Sequence, residues 1–551
     1  MTHDKGCNKQ GLWVVVLATL LCLLPFITKA FHVDDTLFLW TARHIQAQPY
    51  DFYGFPANWY GTTMSMAEIN QNPPFAAYYI ALVTLLFGWQ EWPLHLAFML
   101  PAVGVVAGTY VLAGHFTSRP RLSALIALAT PVFLVSATNV MSDVLMLSFF
   151  LWALVFWVKG LERQRFSWLL AASLLVALAA LTKYFALTAI ALLFVYTVVQ
   201  PGGFHRNKRT LLLLLLPLLV MFGYETLTQA LYGRPMFTSA ISYSVQRAAS
   251  GWNHILDQGL TGLSFMGGCV ASTLLISPLL WVRRTLLIGG LALIVIVGGT
   301  LLMKGSLGGL ILFADGKVSW LPVLQLVLFV VGGIHLLILA CVDLYQHRNA
   351  ASLMLFCWLV GTFVFATFLN WTINGRTMLP MVPAAALLIS RRLDLCATTG
   401  RSLQGVWLAV GLALLLALCV TWGDFAFANA QRHAAAVICA EQKSPARTLW
   451  FQGHWGFQYY MEQAGAKAVD FANSGIQPED YLVVPGNNTN VYRPDRAFQD
   501  LKSYRFPAGR VVGTLNGPPV GAGFYASIWG PLPYVFGRIP HEEFKLYRKV
   551  Y

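Results

Sequence analysis

Apolar runs long enough to cross a bilayer recur along this chain, and their number excludes both a water-soluble globule and a single anchor. The runs 11–27, 122–137 and 211–223 come close to or reach the ~17 to 25 residues that span the hydrocarbon core as a helix. Only 11% of the residues are charged, where a soluble protein carries roughly 25%, so most of the chain is solvated by lipid. Reading apolar runs against breakers and charges predicts thirteen spans, near 11–28, 94–114, 122–139, 144–158, 167–182, 185–200, 210–228, 263–280, 285–303, 321–342, 350–369, 378–390 and 403–422. The stretch 300–320, with Gly305, Gly308 and Gly309, reads as a loop or re-entrant segment. Lys5 and Lys9 precede the first run as in a signal peptide, but Lys29-Ala30-Phe31-His32 offers no convincing cleavage site, so the run is kept as a span.

The formal net charge of +14 suggests nucleic acid until its placement is considered. Lys and Arg sit in short loops between apolar runs, where they report orientation. With the N-terminus cytoplasmic, sixteen fall inside, at Lys5, Lys9, Arg119, Arg121, Lys159, Arg163, Arg165, Arg206, Lys208, Arg209, Arg283, Arg284, Arg348, Arg391, Arg392 and Arg401, against eight outside before the tail. This bias predicts an integral protein of a bacterial inner membrane with its C-terminal part periplasmic or extracellular. Of eight cysteines, six lie in or beside apolar runs, Cys7 precedes the first, and Cys439 alone falls in the tail, so no disulfide framework is available.

Composition changes at Asp424. The last 128 residues hold 13 of the 37 Lys/Arg and 10 of the 23 Asp/Glu, which predicts a water-soluble domain over 424–551 after a membrane domain over 1–423. Strand-like runs at 448–451, 481–484 and 510–514 surround a predicted helix at 455–463, giving a small α/β or α+β fold. Within it, Gly453-His454-Trp455-Gly456-Phe457-Gln458-Tyr459-Tyr460 gathers aromatics and a histidine around a helix start. Such faces suit carbohydrate or peptide, although a strand-to-helix turn with buried aromatics produces the same pattern more often. No catalytic role is assigned to it.

Two outer loops are long. In the first, residues 29–93, Phe38, Ala42 and Ile45 recur at helical spacing, as in an interfacial amphipathic helix, and 75–87 reads as a shorter helix embedded against the bundle. The second, residues 229–262, carries Arg234, Arg247, His254 and Asp257 among aromatics. Acids also divide by side: Asp34, Asp35, Asp51, Glu68, Glu91, Asp143, Glu225, Asp257 and Asp315 lie at or beyond the outer boundary. Carboxylates so close to a span are costly unless they meet a cation, a donor or a proton. Each motif has a plain structural alternative: Asp35 as a helix cap, Asn72-Pro73-Pro74 as a turn into the embedded helix, Lys183 as a snorkelling lysine at the outer end of the fifth span. Their convergence on one side points to a shared task.

The arrangement resembles the C-type (GT-C) membrane glycosyltransferase superfamily, in particular its protein O-mannosyltransferase and aminoarabinose-transferase branch. The matching stretches are Val33-Asp34-Asp35-Thr36, Gln71-Asn72-Pro73-Pro74-Phe75, Met141-Ser142-Asp143-Val144-Leu145, Leu181-Thr182-Lys183 and Gly375-Arg376-Thr377-Met378-Leu379-Pro380, over roughly residues 10–400. The resemblance implies a polyprenyl-phosphate-sugar donor entering from the membrane and an acceptor, whether glycolipid, polysaccharide or protein, approaching from outside. Asp34, Asp35 and Asp143 are its catalytic candidates, with Asp34 as the base of an inverting displacement. Lys183 and Arg376 would stabilise the leaving phosphate, with Arg234 and Arg247 as further cations, and Asn72, Pro73, Pro74 and His254 would serve as acceptor-side or loop residues. Relatives often carry His or an acid where this chain has Asn72. An amide oxygen suits Mg²⁺ or Ca²⁺ rather than a transition metal, so a divalent ion at Asp35, Asp143 and His254 is a possible addition, not a requirement.

A transporter or lipid flippase is the competing class. It predicts ionisable or Gly/Pro-broken segments near the bilayer midplane, often with internal repeats, whereas the ionisable residues here cluster at one edge. A structural or sensory protein would leave Asp34, Asp35 and Asp143 without a shared task.

Overall fold

The computed structural model describes residues 8–200, 208–249, 255–400, 404–442 and 447–551. Among these, eight helices are long and apolar enough to cross a membrane: Lys9–Phe26, Glu91–Phe116, Ser142–Arg163, Lys208–Tyr232, Arg283–Lys304, Trp320–His347, Ala350–Leu369 and Val406–Glu441. Two more expected spans are bent pairs, Pro120–Leu128 with Pro131–Ala137 at 67° and Ile255–Cys269 with Ser272–Leu280 at 82°. The first breaks at Thr130-Pro131, where proline has no N–H to continue the helical ladder and pushes its predecessor to extended geometry. The remaining three expected spans are shorter helices, Phe166–Thr182, Tyr184–Val199 and Val382–Thr398, the last carrying Arg391, Arg392 and Asp394. Counting each bent pair once, ten segments among the described residues meet the length and composition of a span.

The first long loop holds both expected helices. Asp35–Ala47 buries Phe38, Ala42 and Ile45, but this face packs on Phe75–Phe87 and on Trp455–Gln463 of the C-terminal part instead of lying free on a lipid surface. Pro74 precedes Phe75–Phe87 as its N-cap residue. The glycine-rich stretch after Arg283–Lys304 forms two short hairpins, Ser306–Leu307 with Leu310–Ile311 and Phe313–Ala314 with Lys317–Val318.

Residue 424 lies inside Val406–Glu441, so the helix runs on from membrane-like sequence into polar sequence without a linker. Beyond it, a five-stranded mixed sheet has the order Phe498–Phe506, Glu542–Lys549, Tyr481–Pro485, Leu449–Phe451, Lys467–Ala468. The first two pairings are antiparallel and the last two parallel. The helix Trp455–Gln463 forms where the sequence places it, whereas 510–514 contributes only Val512–Gly513, paired with Val535–Phe536 outside that sheet. The fold class is thus the one expected: a polytopic helical membrane protein with a small sheet-bearing C-terminal part. That part is not a separate bead, since Phe427, Phe451, Phe457, Tyr525 and Leu546 share one hydrophobic core with the bundle.

Candidate active site

One cavity of about 1380 Å³ lies where the first loop, several helix ends and the C-terminal part meet. Asp34, Asn72, Asp143, Lys183, Arg234 and Arg376 all line it, although they come from six separate places in the chain. Four of them form a charge quartet. Arg376 Nη2 donates to Asp34 Oδ2 at 2.7 Å, and Lys183 Nζ donates to Asp143 Oδ1 at 2.5 Å. Arg376 Nη1 lies 3.9 Å from Asp143 Oδ2, which ties the two pairs together. The quartet is formally neutral, and Asp143 is its deepest member, with 3% of its side chain exposed against 29% for Asp34. Burial in low dielectric makes such pairs interdependent, because removing one partner leaves its neighbour uncompensated.

Local geometry aims these groups. Asp34 follows Val33, which sits at φ 45°, a left-handed conformation costly for a β-branched residue and commonest at functional sites. Asp34 then occupies the N-cap position of Asp35–Ala47 without using its side chain as a cap, leaving the carboxylate for Arg376. Arg376 is held by its own turn: Asn374 Oδ1 accepts from Thr377 N at 2.9 Å, and Gly375 N donates to Phe524 O at 2.7 Å. A Cβ on Gly375 would come within 2.7 Å of the buried Phe524 ring, which would have to shift to keep this docking. The guanidinium lies over the Tyr525 ring, 5.6 Å from its centre. The carboxylates Asp34 and Asp143 keep the Arg376 guanidinium charged against the pull of burial.

Other expected site residues fall elsewhere. Asp35 does not line the cavity; its fully buried carboxyl accepts from His32 N at 2.8 Å and Val140 N at 2.9 Å, pinning the loop to the turn between the bent helix pair and Ser142–Arg163. Burial pushes that carboxyl up to about 7. Asn72 contributes to the wall, with its carbonyl accepting from the Tyr53 hydroxyl at 2.5 Å, while Pro73 and Pro74 are buried behind it. The backbone of Arg247 belongs to the helix Met236–Ala249, but its side chain, and all of His254, lie outside the described residues. Among the described residues no three His, Cys, Asp or Glu side chains come together as a metal site. Asp35 accepts from backbone N–H groups and Asp143 pairs with Lys183.

Sequence reasoning missed a buried network beneath the quartet. Lys29 and Asp424, both fully buried, pair at 2.5 Å, and Lys29 Nζ also donates to Asn139 Oδ1 at 2.6 Å. Asp424 accepts from the hydroxyls of Thr514 at 2.7 Å and Tyr525 at 2.8 Å, and Asn139 Nδ2 donates to the Tyr525 hydroxyl at 2.9 Å. Tyr525 is therefore fixed at its hydroxyl while its ring carries Arg376. His32 Nε2 lies 3.7 Å from Asp424, too far for a hydrogen bond, and burial lowers its basicity. A charged residue at each membrane boundary was the available signal; their pairing, 395 positions apart, was not.

Residues 71–224 match the profile of the dolichyl-phosphate-mannose-protein mannosyltransferases, a stretch that carries Asn72, Asp143 and Lys183. The chain resembles the C-type membrane glycosyltransferases. This bears out the resemblance read from the motifs. Among solved structures, the apo oligosaccharyltransferase of Archaeoglobus fulgidus is similar at 12% identity and a TM-score of 0.48, over 85% of this chain and 65% of that one. The archaeal oligosaccharyltransferase AglB of the same organism, in complex with an inhibitory peptide and a dolichol-phosphate, is similar at 14% and 0.46, over 85% and 65%. ArnT from Cupriavidus metallidurans bound to undecaprenyl phosphate is similar at 17% and 0.43, over 86% and 93%. The chain thus spans about 65% of the length of the archaeal oligosaccharyltransferases it matches. No curated protein matches the chain.

Proposed function

We propose that the protein is a glycosyltransferase that moves a sugar from a polyprenyl-phosphate-linked donor to an acceptor on the outer face of the membrane. The observation that carries this reading is the quartet itself: a solvent-reachable carboxylate, Asp34, and two cations, Lys183 and Arg376, on one cavity wall at the end of an apolar bundle. The profile match adds a family whose described donor is of this lipid-phosphate class. On this reading residues 1–423 are the transferase domain and 424–551 the outer-face domain, with the helix Val406–Glu441 shared between them. The charge bias puts the N-terminus in the cytoplasm and the C-terminal part in the periplasm or outside the cell, in a bacterial inner membrane.

In the proposed reaction the acceptor hydroxyl oxygen bonds to the anomeric carbon as the bond from that carbon to the phosphate oxygen breaks. The leaving polyprenyl phosphate keeps the electron pair, and the hydroxyl proton passes to Asp34. One displacement inverts the anomeric centre. Arg376 and Lys183 receive the charge that develops on phosphate, exchanging part of their contact with Asp34 and Asp143 for the incoming oxygens. Asp143 keeps both cations in place, and Asp35 fixes the loop that presents Asp34. A positioned general base contributes ~10²- to 10⁴-fold in rate.

The test is transfer of radiolabel from a panel of polyprenyl-phosphate sugars to cell-surface extracts, with the purified chain in lipid and an Asp34→Asn variant. The proposal expects labelled product from the unmodified chain and a loss of ~10²-fold or more in the variant with donor binding retained. Equal transfer by both removes Asp34 from catalysis. No transfer from any donor, beside a working control transferase, overturns the reading.

A further inference from the structure

Charged groups are only part of the cavity lining. Another part of its lining, from the C-terminal part and from residues 59–71 of the first loop, presents Trp59, Trp455 and Trp529 with Asn70 and Gln71. The Trp455 and Trp529 rings meet edge to face at 5.6 Å. The Trp455 carbonyl accepts from the Thr36 hydroxyl at 3.0 Å, which joins this wall to the loop two residues after Asp34. Trp455 also stands at φ 65°, a left-handed conformation rare for a bulky side chain. Packing holds it there, since a Cβ on the next residue, Gly456, would come within 2.0 Å of the Phe31 carbonyl oxygen.

The polar groups of this wall are unfinished. Asn70 is 2% exposed and its Nδ2 donor has no hydrogen-bond partner, and the Oε1 acceptor of Gln71 has none either. Buried polar groups in folded proteins are nearly always paired, so an unpartnered donor and an unpartnered acceptor on consecutive lining residues are open to a ligand that supplies both. A sugar hydroxyl is both, and the C–H face of a sugar ring packs on indole. The charge pattern narrows the class. Among the described lining residues the cations are Lys183, Arg234 and Arg376, and the charge that Asn70 and Gln71 have near them in sequence is the carboxylate of Glu68. Lys183 and Arg376 are already paired with Asp143 and Asp34, so Glu68 adds negative charge to the lining that disfavours a phosphorylated or acidic acceptor.

We infer that this wall is the acceptor subsite, and that it takes an uncharged saccharide whose hydroxyl is turned toward Asp34. The inference rests on the transferase reading above and narrows its acceptor to a neutral glycan. A serine- or threonine-bearing peptide and an anionic glycolipid become outcomes of the test.

The full chain in lipid nanodiscs is titrated with maltohexaose, cellohexaose and mannohexaose by saturation-transfer NMR, alongside Trp529→Ala, Trp529→Phe and Gln71→Ala. The inference expects saturable binding of at least one hexasaccharide, weakened on the order of tenfold by Trp529→Ala, less by Trp529→Phe, and also weakened by Gln71→Ala. In transfer assays Trp529→Ala raises the acceptor KM by a similar factor while the donor KM stays within about twofold. Gln71→Ala carries the test if Trp529→Ala does not fold. Absence of binding by all three saccharides overturns the inference, as does binding that neither Trp529→Ala nor Gln71→Ala weakens. Transfer to peptide or anionic glycolipid with a KM unmoved by these variants also overturns it and leaves the transferase reading standing. Trp529-dependent saccharide binding without transfer from any donor supports the subsite and overturns the transferase reading instead.

Discussion

Replacing Lys29 by Met keeps the bulk of the side chain and removes the charge that Asp424 faces at 2.5 Å. Neither residue is exposed, so water cannot take the place of the lost ammonium. Asp424 would keep the Thr514 and Tyr525 hydroxyls, while the acceptor Asn139 Oδ1 would lose its donor. Removing one partner of a buried pair costs ~3–5 kcal/mol, and the two hydroxyl bonds that survive place Lys29→Met near the lower end, about 3 kcal/mol. Adding Asp424→Asn removes the stranded charge, so the double variant should recover on the order of 2 kcal/mol relative to Lys29→Met alone, within the range of coupling for contacting residues. Thermal unfolding of the full chain in nanodiscs reads both steps. Binding of polyprenyl phosphate should weaken in Lys29→Met as well, because Tyr525 carries Arg376. A melting temperature within about 1 °C of the unmodified chain would refute the reasoning, since several kcal/mol move it by more. So would a double variant no more stable than the single one.

Arg376→Lys keeps a charge but not two nitrogens set between Asp34 and Asp143, and should lower kcat/KM by ~10- to 100-fold, read in the label-transfer assay. Gly456→Ala should destabilise by roughly 1–3 kcal/mol in thermal unfolding, because the new methyl meets backbone rather than a movable side chain. Burial pushes the Glu542 carboxyl up to about 8, against the Asn487 amide that favours its charged form. A raised carboxyl contributes stability that is complete below the ordinary glutamate range and is lost as pH rises through about 8, so the melting temperature should fall between pH 6 and 9 and fall less in Glu542→Gln.

The charged lining of the cavity was legible as a set of candidates. Asp34, Asp143, Lys183, Arg234, Arg376 and Asn72 were legible because acids and bases beside apolar runs are costly and because their motifs fall in a familiar order; they do line one cavity. The role of Asp35 was not legible, since adjacent carboxylates differ only in which way the helix turns them. The aromatic wall was half visible in Gly453 to Tyr460, but Trp529 and Tyr525 sit in irregular chain with no periodicity to expose them. The strands Phe498–Phe506 and Glu542–Lys549 were missed because they are dense in charged residues, and the second pairs on both sides despite reading as polar. The boundary at 424 reflects a change in composition, to which a continuous helix backbone is indifferent.

The most direct test of the account is a cryo-electron microscopy structure of the full chain in nanodiscs with polyprenyl phosphate added. The account predicts phosphate density within about 3 Å of both Lys183 Nζ and the Arg376 guanidinium, with Asp34 facing the open side of the cavity. Phosphate seated elsewhere, with the Arg376–Asp34 and Lys183–Asp143 pairs intact beside an empty wall, would contradict it.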